Sequence, residues 1–280
     1  MYEIVKKRIL NPVTKMMVVK APDVARVCKP GQFVIIRVNE TGERIPLTVA
    51  NFDREDGTVT IVYQEVGKTT KLLGTLEEGN EILDFVGPLG KPTHTEKKYG
   101  TVVAIGGGCG SAIAYPVARA FKEAGNYLIT INGARTMDLL LYEDEMEEIS
   151  DEKYITTDDG SCGVHGFVTT VLGELIEKGR KIDLVFAVGP VPMMKFVSKT
   201  TEKAEIPTIV SLNSIMVDGT GMCGACRVHV GGQMKFACVD GPEFDGHEVD
   251  YDELMSRLNA YKNQEAISLQ KWEEEHGGDQ

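Results

Sequence analysis

The sequence lacks a surplus of basic residues. Lys and Arg together number 30, whereas Asp and Glu number 42, so the formal net charge at pH 7 is -12. A negative charge of this size repels the phosphates of nucleic acids and of anionic membrane surfaces. We therefore expect neither nucleic acid nor a membrane among the partners of this protein.

Long apolar runs are also missing. The longest ones, such as 33–36 and 184–188, suit buried strands, whereas a membrane-spanning helix needs about 20 apolar residues. The first residues, MYEIVKKRIL, alternate like a strand and lack the apolar stretch and cleavage site of a secretory signal peptide. These features predict a cytoplasmic protein.

Cysteine is scarce, and its distribution does not indicate a disulfide framework. Three of the six cysteines, at Cys28, Cys109 and Cys162, are scattered singly. Isolated cysteines are most often small buried hydrophobes. The other three lie within 16 residues of one another and need a separate explanation: Cys223, Cys226 and Cys238.

Residues 1–98 have the pattern of an all-β domain. Strand-like segments recur, and they are separated by turn residues such as Pro30-Gly31 and Asp56-Gly57. One short helix is predicted over 68–76. Six short strands at this spacing favour a small antiparallel β-barrel. The strands are predicted at 2–9, 15–20, 32–38, 44–50, 58–64 and 81–86.

From residue 99 the pattern changes to apolar strands that alternate with amphipathic helices. This alternation predicts a parallel, doubly wound α/β sheet. Strands are predicted at 101–105, 127–132, 154–156, 183–188 and 208–212. Helices are predicted from the glycine-rich turn to about 124 and over 137–149, 167–178 and 192–203.

Residues 214–250 are rich in glycine and contain the three clustered cysteines. Their apolar content is too small to pack alone, so a bound metal centre is expected to organise them. Helical periodicity returns from 251 to about 272, and 273–280 are expected to be frayed. The predicted parts are a barrel (1–98), an α/β domain (99–213), a metal-binding segment (214–250) and a C-terminal helix with a tail (251–280).

The strongest motif is Asp218-x4-Cys223-x2-Cys226-x11-Cys238. Plant-type [2Fe-2S] proteins use Cys-x4-Cys-x2-Cys and a distant fourth Cys. Here Asp218 replaces the first cysteine, and a carboxylate can bind iron while preserving the ligand charge. The spacing predicts an iron–sulfur cluster on these four residues. The alternative is a zinc site of three cysteines completed by Asp218 or His229.

A second motif runs from Arg44 to Thr48 on a predicted barrel strand. An arginine and a hydroxyl residue placed in this way can clamp a pyrophosphate while the backbone meets a flat ring. Residues 68–70 would open the short helix, where free amides favour a phosphate. From these residues alone, the alternative is that they form an ordinary solvent-exposed face of a strand.

The third motif is the glycine-rich turn 106–110, which lies between a predicted strand and helix as a phosphate-binding turn does. It departs from Gly-x-Gly-x-x-Gly, because the sixth position is Ser111 or Ile113, depending on the starting glycine. The second strand also runs into 132–135 rather than ending in an acid. A plain tight turn remains the alternative, although four glycines in five positions favour close approach by a ligand.

Together these motifs resemble the ferredoxin–NADP reductase superfamily, and within it the FAD and iron–sulfur subunits. The most similar group is the small subunits of NADH-dependent reduced ferredoxin:NADP oxidoreductases, also known as sulfide dehydrogenases. The resemblance covers nearly the whole chain, and it extends through 87–90, 133–135, 158–161, 189–190 and 193–194. It implies FAD in the barrel, NAD(H) in the α/β domain and a [2Fe-2S] cluster in the cysteine segment.

The resemblance also implies which residues hold the organic cofactors. Those implied for FAD are Arg44, Pro46, Leu47, Thr48, Val62, Tyr63, Gln64, Lys68, Thr69 and Thr70. Those implied for NAD(H) are Gly107, Gly108, Cys109, Gly110, Ala134, Arg135, Asp159, Gly160, Ser161, Gly189, Pro190 and Met193. No catalytic acid or base is predicted, because hydride transfer to a flavin depends mainly on positioning. Val188 stands where members often carry a cysteine near the nicotinamide.

The activity that the resemblance implies is electron transfer between NAD(H), FAD and the cluster, and onward to a larger FAD/[4Fe-4S] glutamate-synthase-like subunit. In that heterodimer a flavin of the partner bifurcates electrons from NADPH between NAD⁺ and ferredoxin. The alternative is the electron-transfer subunit of dihydroorotate dehydrogenase B, whose cluster loop normally has four cysteines. A non-redox assembly subunit organised by zinc is a further alternative.

Overall fold

The N-terminal part of the chain is an antiparallel barrel in the computed structural model, which describes residues 1–276. Its strands are β1 (Tyr2–Asn11), β2 (Thr14–Lys20), β3 (Phe33–Arg37), β4 (Arg44–Asp53), β5 (Thr58–Gln64), β6 (Glu81–Ile82) and β7 (Asp84–Leu89). The sheet order is β6-β1-β2-β5-β4-β3-β7. Only Leu83 separates the two edge strands, and its amide donates to the Val38 carbonyl at 3.2 Å. One segment therefore closes both edges of the sheet.

The barrel was predicted with six strands, and the seventh arises because the strand predicted at 81–86 bends at Leu83 to serve two edges. The barrel interior is apolar, with Met17, Ile36, Ile61 and Phe85 almost fully buried. Burial of each such side chain contributes about 1.5–3 kcal/mol. The small core is therefore sufficient to hold the strands that carry the predicted flavin residues.

Two short helices belong to the barrel. Helix α1 (Pro22–Val27) was not predicted, because six residues are too few for a helical period to be visible. Its first residue is Pro22, a residue type that is well tolerated in the first turn of a helix, and its Val24 side chain is buried. Helix α2 (Lys68–Gly74) was predicted and ends two residues earlier than expected.

The remaining strands are β8 (Thr101–Gly107), β9 (Tyr127–Ala134), β10 (Glu152–Thr157), β11 (Val164–His165), β12 (Leu184–Val188), β13 (Thr208–Ser211), β14 (Arg227–Val230), β15 (Gln233–Phe236) and β16 (Glu243–Asp245). The second sheet has the order β11-β10-β9-β8-β12-β13-β16. All its strands are parallel except β16, which pairs antiparallel with β13. The order reverses between β8 and β12, so the loops that follow these two strands diverge and open a crevice.

Helices cover both faces of this sheet, as the alternating pattern predicted. The helix predicted over 137–149 is instead a 3₁₀ turn, Met137–Leu139, followed by a separate α-helix. Tyr142 separates them with φ +60°, and its ring packs on Tyr115. The helices are α3 (Gly110–Glu123), α4 (Glu143–Ile149), α5 (Val168–Glu177), α6 (Val191–Glu202), α7 (Ala237–Asp240), α8 (Tyr251–Leu258) and α9 (Lys262–His276).

The cysteine segment has more regular structure than its composition indicated. Strands β14 and β15 form a hairpin around Gly231 and Gly232, whose φ values of +58° and +72° suit the tight turn. The single C-terminal helix predicted over 251–272 is divided between α8 and α9. Helix α9 continues to His276, so 273–276 are helical rather than frayed, and 277–280 lie outside the described residues. None of the described helices combines the length and apolar character needed to cross a membrane.

Candidate functional site

The glycine-rich turn lies at the carboxyl end of β8, where the crevice opens. A Cβ atom on Gly107 would lie 2.4 Å from the Met193 sulfur, and one on Gly110 would lie 2.3 Å from the Val188 carbonyl oxygen. Gly110 is therefore required by a backbone contact within the protein, whereas a shift of the flexible Met193 side chain would make room for a Cβ on Gly107. Gly108 is different, because its φ is +56° and the nearest atom to its hypothetical Cβ is Gln64 Nε2 at 4.0 Å. A ligand can approach the backbone most closely at Gly108.

The turn after β12 forms the facing side of the crevice. A Cβ on Gly189 would lie 2.8 Å from the Met193 methyl carbon and 3.2 Å from Gly107 Cα. The Met193 side chain thus packs between the two glycine turns, with Pro190 beside it. The structure brings together the sequence-predicted residues Gly107, Gly189, Pro190 and Met193 at the point where the strand order reverses.

The loops after β9 and β10 extend the same edge of the sheet. The Asp159 amide donates to the Arg135 carbonyl at 3.2 Å, so the two loops run side by side. Asp159 Oδ1 accepts from the Ser161 hydroxyl at 2.6 Å and from the Ser161 amide at 3.0 Å. The hydroxyl bond is the main reason that the pKa of Asp159 lies below its usual value. Ser161 Oγ also accepts from the Met137 amide at 2.9 Å, and this contact fixes the loop.

The barrel forms the opposite wall of the crevice. The Cys109 thiol lies 3.8 Å from the Val62 carbonyl oxygen, and burial raises its pKa to about 12. The thiol is therefore neutral. Tyr63, which was predicted for FAD, points into the barrel core, where its hydroxyl contacts the Met17 sulfur at 3.6 Å. Only the backbone of Tyr63 is available to a cofactor, whereas Gln64 extends towards Gly108.

The residues predicted to hold a phosphate at the start of α2 already have roles within the protein. Thr70 Oγ accepts from the Gly67 amide at 3.1 Å and donates to the Gly67 carbonyl at 3.0 Å, so it caps the helix. Thr69 Oγ donates to Glu43 at 2.5 Å. Both hydroxyls are thus engaged, although the first amides of a helix have no intrahelical partner. Lys68 lies half-buried beside them.

The clustered cysteines lie on one glycine-rich loop and its adjoining hairpin. Cys226 and Cys238 are buried, and Cys223 is exposed on the same loop. The Ala225 amide lies 3.5 Å from the Cys223 sulfur, and this hydrogen bond is the largest cause of the lowered pKa of that thiol. Burial raises the pKa of Cys238 to about 12. Tight folding of the loop relies on Gly219, Gly221 and Gly224, all of which have positive φ.

Asp218 begins this loop, and its carboxylate turns back onto the loop's own backbone. Its Oδ2 accepts from the Thr220 hydroxyl at 2.5 Å, from the Thr220 amide at 2.9 Å and from the Met222 amide at 3.2 Å. The Thr220 hydroxyl is the main reason that the pKa of Asp218 is lowered. Within residues 1–276, no group of three His, Cys, Asp or Glu side chains is arranged to hold a single metal ion. Three thiols and one carboxylate are nevertheless donor types that an iron–sulfur cluster uses, so the donor set fits.

The loop is docked on the outside of the barrel. Arg44 Nε donates to the Val217 carbonyl at 2.9 Å, and Nη2 lies 3.5 Å from the Asp218 carbonyl oxygen. A Cβ on Gly219 would lie 2.7 Å from Leu89 and 2.8 Å from Ile35, so the loop touches the barrel directly. Arg44 was predicted as a pyrophosphate clamp, but the structure places its guanidinium on the cysteine loop.

Sequence reasoning missed two residues that support this loop. Arg257 of α8 donates to the Ala225 carbonyl at 3.1 Å, and Thr220 holds the Asp218 carboxylate. Arg257 is 32 positions from Ala225 in the sequence, and nothing in the periodicity of α8 distinguishes it from a solvent-exposed arginine. Thr220 could have been found, because a hydroxyl two residues after an aspartate is typical of a local turn.

Two known protein families match parts of the chain. Residues 213–250 match the family described as the iron–sulfur cluster binding domain of dihydroorotate dehydrogenase B, and residues 104–199 match the oxidoreductase NAD-binding domain. The chain is 53% identical over 271 residues to a dihydroorotate dehydrogenase B (NAD(+)) electron transfer subunit homolog from Thermotoga maritima, covering 96% of this chain and 95% of the relative.

Two further comparisons cover most of the chain. The electron transfer subunit of dihydroorotate dehydrogenase B (NAD(+)) from Fusobacterium nucleatum is 35% identical, over 85% of this chain and 93% of the relative. A chain of the NADH-dependent reduced ferredoxin-NADP oxidoreductase, solved in a study of flavin-based electron bifurcation, superposes with a TM-score of 0.92. That chain is 51% identical, and the alignment covers 97% of this chain and 98% of that one.

Proposed function

The chain belongs to the family of electron-transfer subunits that includes those of dihydroorotate dehydrogenase B, and we propose that it works in an electron-bifurcating NADH-dependent ferredoxin:NADP oxidoreductase. It is a redox subunit with FAD, a [2Fe-2S] cluster and NAD(H) as cofactors. It passes electrons between these cofactors and on to a larger partner subunit.

One observation carries this proposal: the barrel that walls the nucleotide crevice also supports the cysteine loop. Val62 of β5 contacts Cys109 of the glycine-rich turn, whereas Arg44 of β4 contacts the loop that begins at Asp218. A bound flavin accepts a hydride as an electron pair, whereas a [2Fe-2S] cluster accepts a single electron. A chain that holds both next to one barrel is suited to splitting a hydride into single electrons.

The residues of the chain act mainly by positioning the cofactors, because hydride transfer to a flavin depends mainly on positioning. We assign the nicotinamide nucleotide to the crevice between Gly108 and Gly189, with Met193 as its floor and the 159–161 loop at its far end. The neutral thiol of Cys109 and the Gln64 amide face the junction of the crevice with the barrel. We assign the flavin to Pro46–Thr48, Val62–Gln64 and the start of α2. The cluster ligands are proposed to be Asp218, Cys223, Cys226 and Cys238.

The proposed division of the chain follows the same sites. The barrel (1–98) binds FAD, the α/β part (99–213) binds NAD(H), and 214–250 bind the cluster, although β16 of that segment pairs with β13 of the α/β sheet. Within the remainder (251–280), Arg257 supports the cluster loop. A cytoplasmic location is proposed as well, since the pyridine nucleotides and reduced thiols that this assignment requires are supplied there.

The partner that we propose is a larger FAD/[4Fe-4S] glutamate-synthase-like subunit, through which ferredoxin and NADP(H) would be reached. The purified chain alone should oxidise NADH with artificial acceptors but should not couple NADPH to ferredoxin. Addition of the larger subunit should restore the coupled reaction in the presence of NAD⁺. Reduction of ferredoxin by NADPH with the isolated chain would contradict the proposed role as a subunit.

A second candidate is the electron-transfer subunit of dihydroorotate dehydrogenase B, because the match over residues 213–250 is to the iron–sulfur domain of that enzyme. The two candidates differ in the partner. Mixing the chain separately with a dihydroorotate-oxidising subunit and with the larger glutamate-synthase-like subunit, followed by measurement of dihydroorotate-dependent NAD⁺ reduction, distinguishes them. NADH formation from dihydroorotate in the first mixture would favour this second candidate.

A further inference from the structure

We propose that Arg44 is a positioning residue for the iron–sulfur loop and that it does not clamp the flavin pyrophosphate. This inference rests on the cluster assignment made above. Its starting point is the guanidinium, which hydrogen-bonds to the carbonyl of Val217 in the cluster segment. The two residues are 173 positions apart, so the contact joins the barrel to the cluster segment.

The contact holds the backbone at the proposed ligand Asp218 in place. Arg44 Nε lies 2.9 Å from the Val217 carbonyl oxygen, and Nη2 lies 3.5 Å from the Asp218 carbonyl oxygen. The planar fork of an arginine presents donors in fixed directions, so it can hold two successive carbonyls at once. The opposite side of the ligand is held by Thr220 and Met222, which donate to its carboxylate.

The next residue of the loop, Gly219, packs closely against the same barrel. Gly219 has a φ of +84°, and a Cβ there would meet Leu89 at 2.7 Å and Ile35 at 2.8 Å. These two residues belong to β7 and β3, and β3 pairs with β4, which begins at Arg44. Both sides of Asp218 are therefore tied to one small patch of the barrel.

The position of Arg44 on β4 also relates the two cofactor sites. Thr48, which is proposed for the flavin, lies four residues further along the same strand, or about 13 Å at the rise of an extended chain. A hydrogen-bonded strand is stiff, so it keeps the cluster loop at a fixed spacing from the flavin residues. The positive charge of Arg44 also favours the reduced, more negative state of the cluster, since cluster potentials depend on the surrounding charge.

The test uses the full chain and compares Arg44→Gln and Arg44→Lys with the matched control Arg37→Gln. Arg37 is the cross-strand partner of Arg44, but its Nε binds Asp84 at 2.7 Å and not the loop. The readouts are the midpoint potential of the cluster, its electron paramagnetic resonance spectrum and the flavin content. Arg44→Gln should shift the potential to a more negative value and change the spectrum, with the flavin content of the parent.

Arg44→Lys keeps the charge but loses the fork, so it should change the spectrum while the potential shifts less than in Arg44→Gln. Arg37→Gln should leave both cluster readouts as in the parent. The inference is overturned if both Arg44 variants retain the parent potential and spectrum. It is also overturned if they lose flavin while Arg37→Gln keeps it, because that result identifies a pyrophosphate clamp. A parent protein without any cluster spectrum would instead contradict the proposed function itself.

Discussion

Cys226 and Cys238 lie with their sulfur atoms 3.1 Å apart, although they are 12 positions apart in the sequence. The hairpin of β14 and β15 returns the chain between them, and the Ala237 amide donates to the Cys226 carbonyl at 3.0 Å to hold the two ends together. The fold thus brings two of the four proposed ligands together in the buried part of the loop.

The pairing predicts that Cys238→Ser abolishes the cluster. Iron and acid-labile sulfide should fall from about two per chain to nearly none, because the serine hydroxyl is a far weaker ligand than a thiolate. Flavin content should remain that of the parent, since the loop lies outside the crevice. Cys162→Ser is the matched control, because this half-buried cysteine lies in the nucleotide domain. Loss of iron in Cys162→Ser, with iron retained in Cys238→Ser, would reassign the ligands.

Asp218→Cys should keep a [2Fe-2S] centre and change its spectrum and its potential. A thiolate donates more electron density than a carboxylate, so the absorption bands and the electron paramagnetic resonance g values should move. The substitution also removes the acceptor of the Thr220 hydroxyl. Asp240→Cys is a suitable control, since this carboxylate lies near Cys238 but accepts from the Phe236 amide. Identical spectra for Asp218→Cys and the parent would place the fourth ligand elsewhere.

Gly110→Ala should destabilise the protein by about 1–3 kcal/mol, which is the usual range for a forced overpacking. Its Cβ would lie 2.3 Å from the Val188 carbonyl oxygen, and a backbone atom of a central strand cannot move aside. Gly173→Ala is the control, because no atom lies within 4 Å of its Cβ and it sits inside α5. That change should stabilise the protein by about 0.5–1 kcal/mol. Equal unfolding free energies for both variants in urea would show that the packing argument is wrong.

Glu243 predicts a pH dependence of stability. It is the first residue of β16, where Thr93 donates to its carboxyl group at 2.5 Å, and burial raises its pKa from 4.5 to about 7. The folded state therefore binds a proton more tightly than the unfolded state. Its contribution becomes unfavourable as the pH rises from about 4.5 to 7 and stays constant above that range.

Glu243→Gln keeps an acceptor for Thr93 without the titration. It should raise the free energy of unfolding by about 1–3 kcal/mol at pH 8 and by much less at pH 5, as the shift between the two pKa values requires. The exposed residue Glu248 supplies the control substitution Glu248→Gln, for which little change is expected at either pH. Urea unfolding at the two pH values measures the difference. An equal effect of Glu243→Gln at both would contradict the burial argument.

Much of the fold could be predicted because it follows from local patterns. Alternating strands, the glycine-rich turn before α3 and the spacing of Cys223, Cys226 and Cys238 each reflect a few neighbouring residues. The observed strands and helices differ from the predicted ones where one segment has two roles. Leu83 interrupts a strand because that segment closes both edges of the barrel, and Tyr142 interrupts a helix where its ring packs on Tyr115.

The candidate site was less predictable, because its contacts join residues that are distant in the sequence. Arg44 has the residue type and the strand position of a phosphate clamp, and only the packed structure reveals its contact with Val217. Gly107 and Gly110 both suggested close approach by a ligand, whereas the structure explains Gly110 by its contact with the Val188 carbonyl. The Tyr63 side chain points into the barrel core. The two-residue alternation of a strand cannot be read from the sequence where residues on both faces are buried.

We expect this chain, by itself, to convert a hydride into single electrons on a cluster. An anaerobic titration of the purified full chain with NADH, followed by visible absorption and electron paramagnetic resonance, tests this directly. The flavin bands should bleach, and the signal of a reduced [2Fe-2S] centre should appear as NADH is added. A colourless, zinc-containing protein, or a flavin that is reduced while no cluster signal develops, would contradict it.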